Sequence, residues 1–295
     1  MKNILRPSGG VIIDLVPRLD PHTATVIGQF VKDRFEEARA DKAVLGLSGG
    51  LDSALVLKVL SDNLGKEKVR ALFLPYGGPN GEDREFAALA ASWMDVEMQT
   101  VDISPIVDQV PMKLDDRSKG NIMARTRMMV LYAVANSENG IVVGTSNKSE
   151  LLTGYFTKYG DGGADIFPIG DLYKTQVREL SSKLGVPKEI IGRPPSAGLI
   201  LGQTDENDLG IPYPLLDQVL FGHVRGFDAE AIAEMLYHGS TTPEEAKRSG
   251  IELPMKVQDI IRIIGMVKRA RHKRMALAVP KLEVGTVGLD LRERW

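Results

Sequence analysis

Short β-rich runs alternate with longer helical patterns through the first two-thirds of the chain, and this alternation limits the fold more than any other feature. Ala43–Leu47 (AVLGL), Val69–Leu74 (VRALFL), Val96–Val101 (VEMQTV) and Gly140–Val143 (GIVV) are bounded by turn residues and read as strands. Between them Phe86, Leu89, Ala90 and Trp93 recur at i, i+3, i+4 and i+7, which predicts a helix with one buried face. Asn121–Asn136 predicts another, with Met123, Val130, Leu131 and Val134 turned inward. Ala54–Leu64 is apolar nearly all round, as in a helix covered on several sides. Strands separated by helices need right-handed crossovers, so the expected fold is α/β, a doubly wound, Rossmann-like parallel sheet flanked by helices. Ligands of such sheets bind beyond the carboxyl ends of the strands, at a topological switch point.

The last third changes character. Pro and Gly punctuate Gly192–Pro214, after which helices dominate. Thr242-Pro243-Glu244-Glu245 places Thr at N-cap, Pro at N1 and Glu at N3, a capping box. Val257, Ile260, Ile261, Ile264 and Val267 form an apolar stripe that runs into the basic stretch Lys268–Arg274. Thr23–Arg39 is a further amphipathic helix near the amino end. No repeat, low-complexity tract or clear linker divides the chain, so one domain over 1–295 is expected, with its core at about 40–200 and a helical part at about 201–275. The terminal helices could cover the core or form a dimer face, and both readings stay open.

Composition removes several function classes. The 295 residues carry 37 Lys+Arg against 39 Asp+Glu, a net charge of −2, so no basic excess exists to neutralise the phosphates of a nucleic acid. Asp14 interrupts the one apolar run near the start, and no stretch approaches the ~20 apolar residues that span a bilayer. There is no cysteine, hence no disulfide, thiolate nucleophile, sulfur-based zinc site or iron–sulfur cluster. A soluble, cytoplasmic protein with no membrane or nucleic-acid partner is expected.

The stretch Leu45–Ser53, LGLSGGLDS, lies between an apolar strand and an apolar helix. Gly46, Gly49 and Gly50 permit close backbone approach, Ser48 and Ser53 add hydroxyls, and the next helix contributes its positive end. These are the requirements of a phosphate site. A Walker A loop needs a Lys that is missing here, and the dinucleotide fingerprint GxGxxG is also missing. Asp52 would repel phosphate unless a divalent cation stood between them, which points to a Mg²⁺ ligand. The plainer alternative is a glycine-rich turn whose Asp caps the helix.

SGGLDS resembles the pyrophosphate loop of the ATP-pyrophosphatase (adenine nucleotide α-hydrolase) superfamily, and the resemblance implies that Gly46, Leu47, Ser48, Gly49, Gly50, Leu51, Asp52 and Ser53 bind ATP. Gly120–Met128 (GNIMARTRM), Gly144–Gly163 (GTSNKSELLTGYFTKYGDGG), Asp171–Val177 (DLYKTQV) and Pro195–Gly210 (PSAGLILGQTDENDLG) resemble the NAD synthetase family in particular, in the family's order. LPYG at Leu74–Gly77 and His272–Lys273 agree with it. Phe73 stands where many bacterial members carry Arg, and GTSNKSE replaces a common GTDHAAE.

The resemblance implies ATP-dependent amidation of deamido-NAD with ammonia, through an NAD-adenylate, to give NAD, AMP and pyrophosphate. It implies ATP contacts at Thr145, Lys174 and Ser196, and Mg²⁺ on Asp52 and Glu150. Arg125, Lys158, Asp165, His272 and Lys273 are implied for deamido-NAD, with Asp165 the candidate to bind or deprotonate ammonium. Composition alone would leave Glu150 on a solvated helix and Arg125 on a basic face with Lys119 and Arg127. Closure over the reaction is expected from the Tyr155–Asp165 and Gly198–Asp208 loops. The family's glutaminase domain needs a cysteine and additional length, so free ammonia is the expected donor, a separate glutaminase remaining compatible with the sequence. A homodimer is implied as well.

Overall fold

Four parallel strands, β1 (Lys42–Gly46), β2 (Val69–Phe73), β3 (Met98–Thr100) and β4 (Gly140–Val143), form a sheet of order β3-β2-β1-β4 in the computed structural model. The structure describes residues 14–78, 81–195, 204–236 and 255–275. Leu45 pairs with Ala71 on one side and with Val143 on the other, so β1 is central. The order places β2 and β4 on opposite flanks of β1, and the switch point falls between β1 and β4.

Helices occupy both faces. α1 (Thr23–Glu37) precedes β1, α2 (Leu51–Leu64) follows it, and α3 (Glu82–Trp93) connects β2 to β3. α4 (Ser104–Val107) and α5 (Asp116–Ser137) lead from β3 to β4. Beyond β4 come α6 (Lys148–Thr153), α7 (Lys174–Lys183), α8 (Lys188–Ile191), α9 (Asp205–Leu209), α10 (Tyr213–Val224), α11 (Ala229–Leu236) and α12 (Val257–Arg269).

The period-2 geometry of a strand explains the layering. Ala43 and Leu45 enter the core beneath α1, α2 and α7, whereas Val44 packs on the opposite side with Leu72, Val142, Met123 and Leu131. Burial on both faces is why these strands read as continuous apolar runs. α2 is buried nearly all round, as its composition predicted. Leu209, Leu216, Leu220, Ile232, Ile260 and Ile263 build a separate cluster among the late helices, which also takes in Tyr173.

Two predicted faces need correction. Leu89 is exposed, whereas Ala90 is buried as predicted together with Ala87 and Ala91, and Phe86 and Trp93 pack against the core while partly buried. Ile261 points outward and Ile263 inward, so the buried stripe of α12 is Ile260, Ile263 and Val267. β3 is also shorter than Val96–Val101. Thr242–Glu245, Ser196 and the first part of the Gly198–Asp208 loop lie outside the described residues.

Candidate active site

The turn after β1 needs glycine for two reasons. Gly49 has φ +81°, and a Cβ there would lie 2.4 Å from the carbonyl oxygen of Asp83 at the start of α3. Within the turn the Ser48 N–H donates to Ser53 Oγ at 3.3 Å, and Ser53 Oγ donates to the Gly50 carbonyl at 2.9 Å. Gly50 is the N-cap of α2 and has no side chain with which to accept the helix's first N–H groups. Leu47 and Leu51 are buried, so they present only backbone to a ligand. A rigid turn and an uncapped helix start make an anion cradle.

Asp52 does not cap α2. Its Oδ1 accepts from Asn147 Nδ2 at 3.1 Å, and its Oδ2 is bonded by Lys174 Nζ from the first turn of α7. Glu150 Oε1 stands 3.6 Å from the same ammonium. Asn147 and Glu150 are held by a reciprocal capping box on α6: the Asn147 N–H donates to Glu150 Oε2 at 3.1 Å and the Glu150 N–H to Asn147 Oδ1 at 3.0 Å. Side chains from α2, α6 and α7 thus converge beyond the carboxyl ends of β1 and β4.

The electrostatics follow from burial. The side chain of Lys174 is 6% exposed and that of Asp52 17%. Burial, reinforced by the Asp52 carboxylate, pushes the Glu150 carboxyl well above the usual carboxylate range, against the opposing pull of Lys174. Burial acts to neutralise Lys174, yet the Asp52 and Glu150 carboxylates outweigh it and raise the ammonium above its usual value. The Tyr213 ring adds a cation–π contact, 5.5 Å from Nζ. Behind it Tyr213 Oη donates to Asp205 Oδ2 at 3.1 Å, and burial raises the Asp205 carboxyl.

Among the described residues no group of three or more His, Cys, Asp or Glu side chains is arranged to hold a metal ion. A Mg²⁺ that arrives with a nucleotide needs only one or two carboxylates, with phosphate and water completing its shell, and the hard oxygen donors of Asp52 and Glu150 fit that demand.

A second group lies along α5 and the 155–165 segment. Arg125 Nε donates to the Lys158 carbonyl at 3.2 Å, and the Lys158 ammonium sits 5.0 Å from the Tyr159 ring. Asp165 is fixed by Tyr132 Oη on Oδ1 and by the Val142 N–H on Oδ2, both at 2.7 Å. Thr145 follows β4 and is half-buried. Lys273 Nζ donates to the carbonyls of Gly154 at 2.7 Å and Phe156 at 2.6 Å, so this cation braces the start of the 155–165 segment. His272 shares a cleft with Arg117, Arg269 and Lys273.

Several site neighbours escaped the sequence reading. Asn147 could have been found from N-x-x-E, a capping-box pattern that also fixes Glu150. Arg193 carries no such signal: Nη1 reaches the Gly49 carbonyl at 3.4 Å, Nη2 pairs with Asp83, and the guanidinium lies 4.7 Å from the Phe86 ring. Tyr132 reaches Asp165, and Tyr213 reaches Lys174, only through the tertiary fold.

The sequence profile of the NAD synthase family matches residues 23–276. The NH(3)-dependent NAD(+) synthetase of Pyrococcus horikoshii is 45% identical over 249 residues, covering 83% of this chain and 90% of that protein. Among solved structures, an NMN synthetase from Francisella tularensis gives a TM-score of 0.71 at 32% identity, over 89% of this chain and 99% of that one. An NH3-dependent NAD synthetase from Campylobacter jejuni gives 0.70 at 26% identity, over 90% and 100%. The matched span takes in every residue from the glycine turn to Lys273, and on that breadth of agreement the chain belongs to the NAD synthase family.

Proposed function

We propose that the chain amidates deamido-NAD with ammonia, consuming ATP and releasing NAD, AMP and pyrophosphate. The convergence of Asp52, Glu150 and Lys174 beside the Ser48–Ser53 turn carries this reading, because it offers phosphate oxygens both donors and charge. The β- and γ-phosphates lie on the turn and on Lys174, with Thr145 and Ser196 as further ATP contacts. Asp52 and Glu150 would hold Mg²⁺, which when bound would offset the charge of the triphosphate.

Arg125, Lys158, His272 and Lys273 orient deamido-NAD so that its nicotinate carboxylate faces the α-phosphorus. An oxygen of that carboxylate attacks, the bond from the α-phosphorus to the bridging oxygen breaks, and pyrophosphate leaves. The carboxyl group now has a leaving group, which the free carboxylate lacked. Ammonia attacks the acyl carbon, AMP departs, and one proton is released. Asp165, oriented by Tyr132 and the Val142 N–H, binds ammonium or takes its proton. Positioning and charge stabilisation suffice, with no covalent enzyme intermediate.

The chain works as a homodimer in the cytoplasm. Val26 and Phe30, one turn apart on α1, are 65% and 38% exposed, which supports a partner on that face. Among the described residues no helix is long and apolar enough to cross a membrane. Sedimentation as a monomer at micromolar concentration would remove the dimer. The function is tested by supplying ATP, Mg²⁺, ammonium and deamido-NAD, with nicotinate mononucleotide run in parallel. NAD, AMP and pyrophosphate in equal amounts are expected; release of ADP, or turnover of the mononucleotide alone, overturns the proposal.

A further inference from the structure

Asp217 is a fully buried carboxylate in the middle of the apolar helix α10, at 0% exposure. Both its oxygens are spent on other helices. Oδ1 accepts from Ser149 Oγ on α6 at 2.5 Å, and Oδ2 accepts the Thr175 N–H on α7 at 2.8 Å. Ser149 Oγ in turn accepts the Lys174 N–H at 3.0 Å. Lys174 and Thr175 are the first two residues of α7, whose N–H groups have no acceptor within their own helix. They are capped from outside, by a hydroxyl and a carboxylate, and the carboxylate holds the hydroxyl.

This arrangement has two consequences. The positive end of α7 is occupied by Asp217, so what α7 presents to a phosphate is the Lys174 side chain and not its backbone. The same carboxylate also ties α6, which carries Glu150, to α7, which carries Lys174. A buried charge at this position is a poor device for stability alone, since an apolar residue of the same size would fill the helix interface at lower desolvation cost.

We propose that Asp217 is a positioning residue: acting through Ser149 and the first turn of α7, it fixes the Lys174 ammonium between Asp52 and Glu150. The proposal rests on Lys174 serving ATP. In Asp217→Asn the shape is kept and Oδ1 can still accept the Thr175 N–H, but the amide N–H₂ then faces Ser149 Oγ, whose own O–H loses its acceptor, so the hydroxyl that caps the Lys174 N–H is no longer held by a carboxylate.

The test compares wild type, Asp217→Asn, Ser149→Ala, Lys174→Met and the double variant Asp217→Asn/Lys174→Met, measuring kcat, the KM for ATP, the KM for deamido-NAD and the Tm. For Asp217→Asn, kcat/KM for ATP is expected to fall roughly 10- to 100-fold, the range in which small misplacements of a reacting group act. The KM for deamido-NAD should stay within about twofold, and Ser149→Ala should move the same parameters by less. In the Lys174→Met background, Asp217→Asn should add no further loss, because the group it positions is gone.

A lowered Tm with unchanged ATP kinetics, equal damage to both substrates, or losses that multiply in the double variant would assign Asp217 to stability and overturn the proposal. If Asp217→Asn does not fold, Ser149→Ala and its double with Lys174→Met decide by the same criteria. Near-normal turnover of Lys174→Met is the separate result that removes the Lys174 reading, and the Asp217 proposal with it.

Discussion

Lys174 on α7 bonds the carboxylate of Asp52 on α2, a residue 122 positions earlier in the chain, and both are largely buried. That pairing brings the glycine turn and the second half of the molecule to one point. It also explains why an acidic residue is tolerated inside an anion cradle: its charge already faces a cation.

Asp52→Ala is therefore expected to abolish turnover while leaving the fold intact, and Asp52→Asn to lower kcat by about 100-fold or more. Stability of the alanine variant should fall by only about 1–3 kcal/mol, because Glu150 still faces the Lys174 ammonium. Urea unfolding and steady-state assays measure both. Activity near wild type would remove Asp52 from the site.

The turn itself can be tested at Gly49. Gly49→Ala forces a side chain into a positive-φ position and against the Asp83 carbonyl, at a cost of about 1–3 kcal/mol. We expect a lower urea midpoint together with a raised KM for ATP. An alanine variant with unchanged midpoint and kinetics would show that the turn tolerates a Cβ.

Arg193 links the turn to α3. Arg193→Ala removes its bond to the Gly49 carbonyl and its pairing with Asp83, and loss of about 1 kcal/mol in the bound state would raise the KM for ATP about fivefold. The KM for deamido-NAD should not change. An equal rise in both constants would mean that Arg193 supports the fold in general.

The contribution of His223 to stability should fall on mild acidification, opposite in sign to that of the raised Glu150 carboxyl, which gains over the same range. Burial, then the Lys268 ammonium, holds the His223 imidazole below its ordinary value. The unfolded chain then binds more protons than the folded one, so this contribution is full above the unfolded value of about 6.5 and is lost as pH drops below it. His223→Gln should remove that loss, so that between pH 7.5 and 5.5 the Tm of the variant falls less, or rises more, than that of the wild type. An unchanged slope would place the acid sensitivity elsewhere.

The sheet and the glycine turn were legible because each is written locally. Strands buried on both faces give unbroken apolar runs, and a turn that must accept positive φ advertises its glycine. Helix faces were read less well: in α3 Leu89 turns outward while Ala87 and Ala91 join the predicted Ala90 inside, and in α12 Ile263 is buried and Ile261 exposed. Asp217, Ser149 and Tyr213 were invisible for another reason. Asp217 and Ser149 bond each other from helices far apart in the chain, Tyr213 reaches Lys174 from another helix, and a lone Asp between Leu216 and Val219 announces only that something must satisfy it. Family resemblance supplied roles for Arg125, Lys158 and Lys273, while the contacts of Lys273 with the Gly154 and Phe156 carbonyls came from the fold alone.

The central claim is that the nicotinate carboxylate attacks the α-phosphorus of ATP held on the Ser48–Ser53 turn. The most direct measurement follows oxygen: deamido-NAD labelled with ¹⁸O in its carboxylate is turned over with ATP and ammonium, and the products are weighed by mass spectrometry. One labelled oxygen in AMP and none in pyrophosphate is the predicted result. Unlabelled AMP, or label in any other phosphate product, would contradict it.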